Sequence, residues 1–165
     1  MRKLRILLGA VVVLVVGMQF IRPDRTDPPM DPARTIEANT HLTPEVSAIL
    51  KRACRDCHSN ETRWPWYSNI APISWQVAGH VKSGRMHLNF SDWPAPERNG
   101  RRARATDKLG EMCDQVESGS MPIGQYLWIH HDAKLSPADV RTLCSWTEAE
   151  RARLKAQASS GASSR

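Results

Sequence analysis

From Ile6 to Ile21 the chain runs "ILLGAVVVLVVGMQFI" without a charge, after Arg2, Lys3 and Arg5 and before a stop at Arg22-Pro23. A basic start followed by an apolar block is the composition of an export signal or membrane segment. The block is short beside the ~20 residues of a spanning helix, yet suited to the apolar part of a signal. No small-x-small cleavage site follows directly, because Gly17-Met18-Gln19 and bulky Phe20 fit one poorly. Residues 1–21 are therefore expected to remain as a signal-anchor, with the N-terminus in the cytoplasm and the domain outside it. Cleavage would instead release the same domain. Residues 22–41 carry prolines at 23, 28, 29 and 32 with little periodic pattern and read as an extended tether.

Helical periodicity begins at Thr43, an N-cap followed by Pro44, with Val46, Ile49, Leu50 and Ala53 on one face. A second helix is expected from Pro72 to about Ser83, with Ile73, Gln76, Val77 and His80 inward and Gly84 as its stop. A third runs from about Thr106 to Ser118 on Leu109, Met112, Cys113 and Val116, ending at Gly119. The fourth starts at Ser136-Pro137 with Asp139 completing a capping-box pattern, and presents Val140, Leu143, Cys144 and Thr147 beside Trp146. No stretch alternates with period two. The prediction is an all-α domain of four to five helices with long loops over residues 42–155, then a small, polar, disordered tail over 156–165.

At 165 residues there is room for one core. The net charge of +6 could serve nucleic acid, anionic lipid or an acidic protein. The apolar start removes nucleic acid from that set and raises the cytoplasmic membrane, with the domain on its periplasmic side.

Export also sharpens the question posed by Cys54-x-x-Cys57-His58, because exposed thiol pairs outside the cytoplasm tend to oxidise unless an adduct uses them. Structural zinc wants four ligands, and Cys113 and Cys144 offer no second local pair. Thioredoxin-like exchange wants the motif at a helix start beside a βαβ unit, whereas here it follows a helix. Attachment of haem c explains more: Cys54 and Cys57 would bond the porphyrin and His58 would lie under the iron. Met121, on a loop past the third helix and ahead of Pro122, is the candidate second ligand, with core filler as the plainer role. His80, His87 and Met86 are its rivals, with His80 on the presumed inner face of the second helix.

The stretch "CRDCHSNETRWPWYSNIAPISWQVAGHVKSGRMHLNFSDW", followed by "SGSMP" and "LSPADVRTLCSW", resembles the bacterial haem-binding domain family, cytochrome c-like with a single CxxCH, over roughly Thr40 to Ala149. "TRWPWYSNIAP" and "GRMHLNFS" carry the likeness, since they are not general features of cytochromes c. The resemblance implies one covalent haem in a membrane-tethered periplasmic protein, and no established reaction. Cys113 and Cys144 depart from it. With both axial positions filled, the expected role is electron transfer to an unidentified redox partner protein rather than enzymatic chemistry. With a labile sixth position it would be a gas or redox sensor, or a peroxidase-like enzyme.

Three further groups bear on the site. Trp64, Trp66 and Tyr67 are expected either to wall the haem and meet its propionates or to pack a long loop. Cys113 and Cys144 lie on two apolar helical faces, consistent with a disulfide or with two buried thiols. Arg85, Arg98, Arg101, Arg102 and Arg104 form a basic stretch, either solvated or facing propionates or an acidic partner. His130 and His131 read as surface residues.

Overall fold

The computed structural model describes residues 1–94 and 104–163, so Arg98, Arg101 and Arg102 lie outside the described residues. Its helices are α1 (Arg2–Met18), α2 (Ile36–Asn39), α3 (Pro44–Ala53), α4 (Arg55–His58), α5 (Ile73–His87), α6 (Ala105–Glu117), α7 (Gly124–Leu127) and α8 (Pro137–Ser163). Single 3-10 turns lie at Pro32–Arg34, Trp66–Asn69 and His131–Ala133. No strand occurs among the described residues, as the absence of period-two patterning requires.

Local chemistry sets the helix starts. Thr43 Oγ accepts the Val46 N–H at 3.3 Å with Pro44 in the first turn, so α3 opens where the sequence places it. At α8, Ser136 Oγ accepts the Asp139 N–H at 3.1 Å while Asp139 Oδ2 accepts the Ser136 N–H at 2.8 Å, a reciprocal cap. The core gathers Leu50, Phe90, Trp93, Leu109, Met112 and Leu143, with α6 packed along α8 and α3 against both α8 and α4.

Cys113 of α6 and Cys144 of α8 are joined by a disulfide, with Cα atoms 4.9 Å apart across 31 residues of sequence. Replacing both by alanine is expected to cost about 3–4 kcal/mol by the chain-entropy relation, seen as a lower denaturant midpoint. An unchanged midpoint would show that the bond adds nothing net.

The signal-anchor expectation gains no support from the helix lengths, and three other expectations need correction. The apolar block does form α1, and none of its side chains is buried. Its 17 residues make only about 25 Å, and among the described residues no helix is long and apolar enough to cross a membrane. Residues 22–41 are not a free tether. Arg25 donates to Ser68 O (3.2 Å) and Asn69 Oδ1 (2.8 Å), Arg85 donates to Thr26 O (3.0 Å), and Ile36 is buried, its N–H on Phe90 O at 2.8 Å. Residues 156–163, expected as a loose tail, continue α8. Finally, α5 runs through Gly84 to His87 and buries Ser74, Ala78, Val81 and Gly84, a different face from the one expected. Its contact face is built of small side chains because α5 lies almost backbone to backbone against α4, and a hydrophobicity pattern registers that poorly.

Candidate functional site

The helical face of α3 runs straight into Cys54, which caps α3 and begins the short turn of α4. The Cys57 and His58 N–H groups both donate to Cys54 O, at 3.2 and 3.0 Å, so the two cysteines and the histidine occupy one tight turn. Gly84 of α5 lies directly on that turn. A Cβ built there would fall 2.5 Å from Cys57 O and 3.1 Å from its carbonyl carbon.

That approach fixes the histidine. His58 Nδ1 lies 3.1 Å from Gly84 O and 3.0 Å from Leu88 O. Both partners are acceptors, so Nδ1 carries the proton and Nε2 keeps its lone pair, the form that binds a metal. Burial holds the imidazole pKa below its usual value, against the opposing pull of the same two carbonyls.

Two adjoining hollows, of about 170 and 380 Å³, make one crevice beside the turn. Both are lined by Cys54, His58, His87, Met121 and Pro122. The smaller also meets Cys57, His80 and Tyr126, and the larger has an apolar wall of Leu88, Phe90, Met112, Val116 and Leu143. Cys54 and Cys57 are unpaired, and burial pushes their thiols up to about 12 and about 11. Thiols held protonated are poor exchange nucleophiles. A crevice with two neutral thiols, a histidine lone pair, a thioether and a broad apolar wall has the donor set and the lining that a covalently bound haem needs.

A second set of contacts ties the Met121 loop to the cysteine turn. Tyr126 of α7 donates from its hydroxyl to Asp56 Oδ2 at 2.8 Å, and Asp56 Oδ1 also accepts from Arg63 Nε at 3.2 Å. Burial, then that hydrogen bond, raise the Tyr126 pKa. The Tyr126 ring stacks on His130, centroids 4.1 Å apart, and His130 Nε2 is 2.8 Å from the Tyr67 hydroxyl. Asp56 sits between the two cysteines in sequence, so this cluster couples the walls of the crevice.

The structure thus brings Cys54, Cys57, His58, Met121 and His80 to one crevice, and does not bring Trp64 or Trp66 there. Trp64 packs under Arg25, its guanidinium 6.0 Å from the ring centroid, in a groove with Trp75 and Arg85. Trp66 is 74% exposed. Tyr67 borders a neighbouring hollow with His130 and not the crevice itself. Met86 lies in the Trp64 groove, whereas His87 joins the crevice from an exposed position. Arg85 is spent on Ser59 O (2.7 Å), Thr62 Oγ1 (2.8 Å) and Asp27, a strap rather than a propionate partner. Arg104 is the exposed N-cap residue of α6. His131 is exposed as expected, and His130 is not.

Sequence reasoning missed Gly84, Asp56 and Tyr126. Gly84 had a signal, a glycine continuing the small-residue row of Ser74 and Ala78. The other two had none, because their pairing spans 70 residues of chain.

The family model described as a haem-binding domain matches residues 13–149. No curated protein matches the chain, and no solved structure does.

Proposed function

Because the chain belongs to the haem-binding domain family, we propose that it carries one haem c, covalently held by Cys54 and Cys57, with His58 and Met121 as axial ligands, and that it transfers single electrons. The observation that carries this is the pair of carbonyls, Gly84 O and Leu88 O, on His58 Nδ1, which leaves Nε2 free for iron. When bound, haem supplies a one-electron iron couple. The chain's residues do the rest. The α5 carbonyls orient the imidazole, Met121 offers a soft neutral donor that favours the reduced metal, and Leu88, Phe90, Val116 and Leu143 keep water from the ring.

The same reading places the domain on the periplasmic side of a bacterial cytoplasmic membrane. The basic residues Arg2, Lys3 and Arg5, the uncovered apolar surface of α1 and the Cys113–Cys144 disulfide support it. There α1 seats in the lipid, and the partner is a redox protein.

The test is expression with a cytochrome c maturation system, a denaturing gel stained for haem peroxidase activity, and a reduced pyridine spectrum. Haem that stays with the chain and shows a c-type band is the expected result, lost when Cys54 and Cys57 are both changed to serine. Folded protein without covalent haem would overturn the reading, and its zinc content would be measured next.

A further inference from the structure

The end of α1 and the start of α5 meet on one edge of the domain. Gln19 pairs reciprocally with Ala71: its Nε2 donates to Ala71 O at 3.1 Å, and its Oε1 accepts the Ala71 N–H at 3.0 Å. Two residues on, Ile21 O accepts from Trp75 Nε1 at 2.8 Å. Beside the exposed Arg22 and Asn69, five apolar side chains are left outward along this edge: Phe20 and Ile21 from the α1 exit, Trp66 and Ile70 from the 3-10 turn and its cap, and Ile73 from the first turn of α5. Exposed isoleucines scattered singly need no explanation, but a tryptophan, a phenylalanine and three isoleucines on one edge do.

We propose that the folded domain itself docks on a lipid bilayer through Phe20, Ile21, Trp66, Ile70 and Ile73, beside the point where α1 enters it; the proposal rests on the reading that α1 seats in lipid. Three observations favour lipid over a second copy or a protein partner. First, the edge continues covalently into α1, none of whose side chains is buried. A bilayer covers both surfaces at once. Second, α1 measures about 25 Å against a hydrocarbon core of about 30 Å, a deficit that draws the flanking residues into the interface. Because Gln19 and Ile21 are bonded to Ala71 and Trp75, the flank cannot descend without bringing the domain edge with it. Third, the edge pairs a tryptophan with neighbouring cations, Arg22 exposed and Arg25 half-buried, the composition of a side chain belt at headgroup depth. The position of the cofactor relative to the membrane is then fixed by the domain rather than by a loose tether.

The full-length holoprotein would be reconstituted in phosphatidylethanolamine–phosphatidylglycerol vesicles containing a phospholipid with a photoactivatable diazirine near its headgroup. After illumination, adducts would be located by peptide mass spectrometry. Adducts on residues 66–75 as well as on α1 are expected. In the Ile70→Glu, Ile73→Glu variant, adducts on 66–75 are expected to fall about tenfold, the loss of burying two half-exposed isoleucines, with α1 labelling and haem absorbance unchanged. Labelling confined to α1 would overturn the docking while leaving the α1 reading intact. A protein that does not associate with the vesicles would overturn the α1 reading and the docking with it. Chain-to-chain crosslinks through 66–75 in place of lipid adducts would assign the edge to a protein interface and overturn the proposal. So would undiminished adducts in the variant.

Discussion

Replacing Gly84 by alanine is expected to destabilise the protein by about 3 kcal/mol, through overpacking that the surroundings cannot absorb. The atoms a Cβ would meet are the carbonyl oxygen and carbon of Cys57, which belong to the backbone and not to a side chain that could swing away. Relief requires α5 to lift off α4. That movement also withdraws Gly84 O and Leu88 O from His58 Nδ1, so the loss of stability should come with a disturbed haem spectrum. Gly79 provides the control on the same helix. A Cβ there meets nothing within 4 Å, and the better helix propensity of alanine should stabilise by up to about 1 kcal/mol. Denaturant midpoints of opposite sign for Gly84→Ala and Gly79→Ala are the signature of close approach. Equal midpoints would show that the α4–α5 contact is looser than described.

The second large effect concerns the iron. Met121→Ala should convert the oxidised protein from low spin to high spin and open a position for carbon monoxide in the reduced form, because the variant has no side chain on that loop able to ligate. Met121 lines both halves of the crevice with His58, and its loop is tied to the cysteine turn through Tyr126 and Asp56. Met121 is only half-buried where it packs against the core, so the fold should hold and the absorption spectrum can be read directly. A spectrum that stays low spin would move the sixth position to His80 or His87, which also face the crevice, and the double variants Met121→Ala with His80→Ala or His87→Ala would name the ligand.

What the sequence revealed and what it withheld divide along a physical line. Thr43-Pro44 and Ser136-Pro137 announce their helices because a cap is a contact between residues three apart, fully present in the local string. The α3 face that delivers Cys54 to the site was legible for the same reason: Val46, Ile49, Leu50 and Ala53 are all buried. The α5 face was not, because its contact with α4 depends on the smallness of Ser74, Ala78 and Gly84, which hydropathy scores as almost neutral. Trp64 and Trp66 looked like cofactor walls on density alone. Proximity to the motif in sequence did not carry them to the crevice, whose apolar wall instead comes from Leu88, Phe90, Met112 and Leu143. Residues 22–41 looked loose because prolines suppress periodic pattern, while their order comes from distant donors such as Arg85 and Asn60.

The disulfide between α6 and α8 also bears on how four thiols are sorted. In an oxidising compartment, any oxidant that reaches the unfolded chain has six ways to join two of its four cysteines, and five of these consume Cys54 or Cys57. Packing α6 along α8 brings Cys113 and Cys144 together and takes both out of the competition. Every thiol that remains then belongs to the turn beside His58.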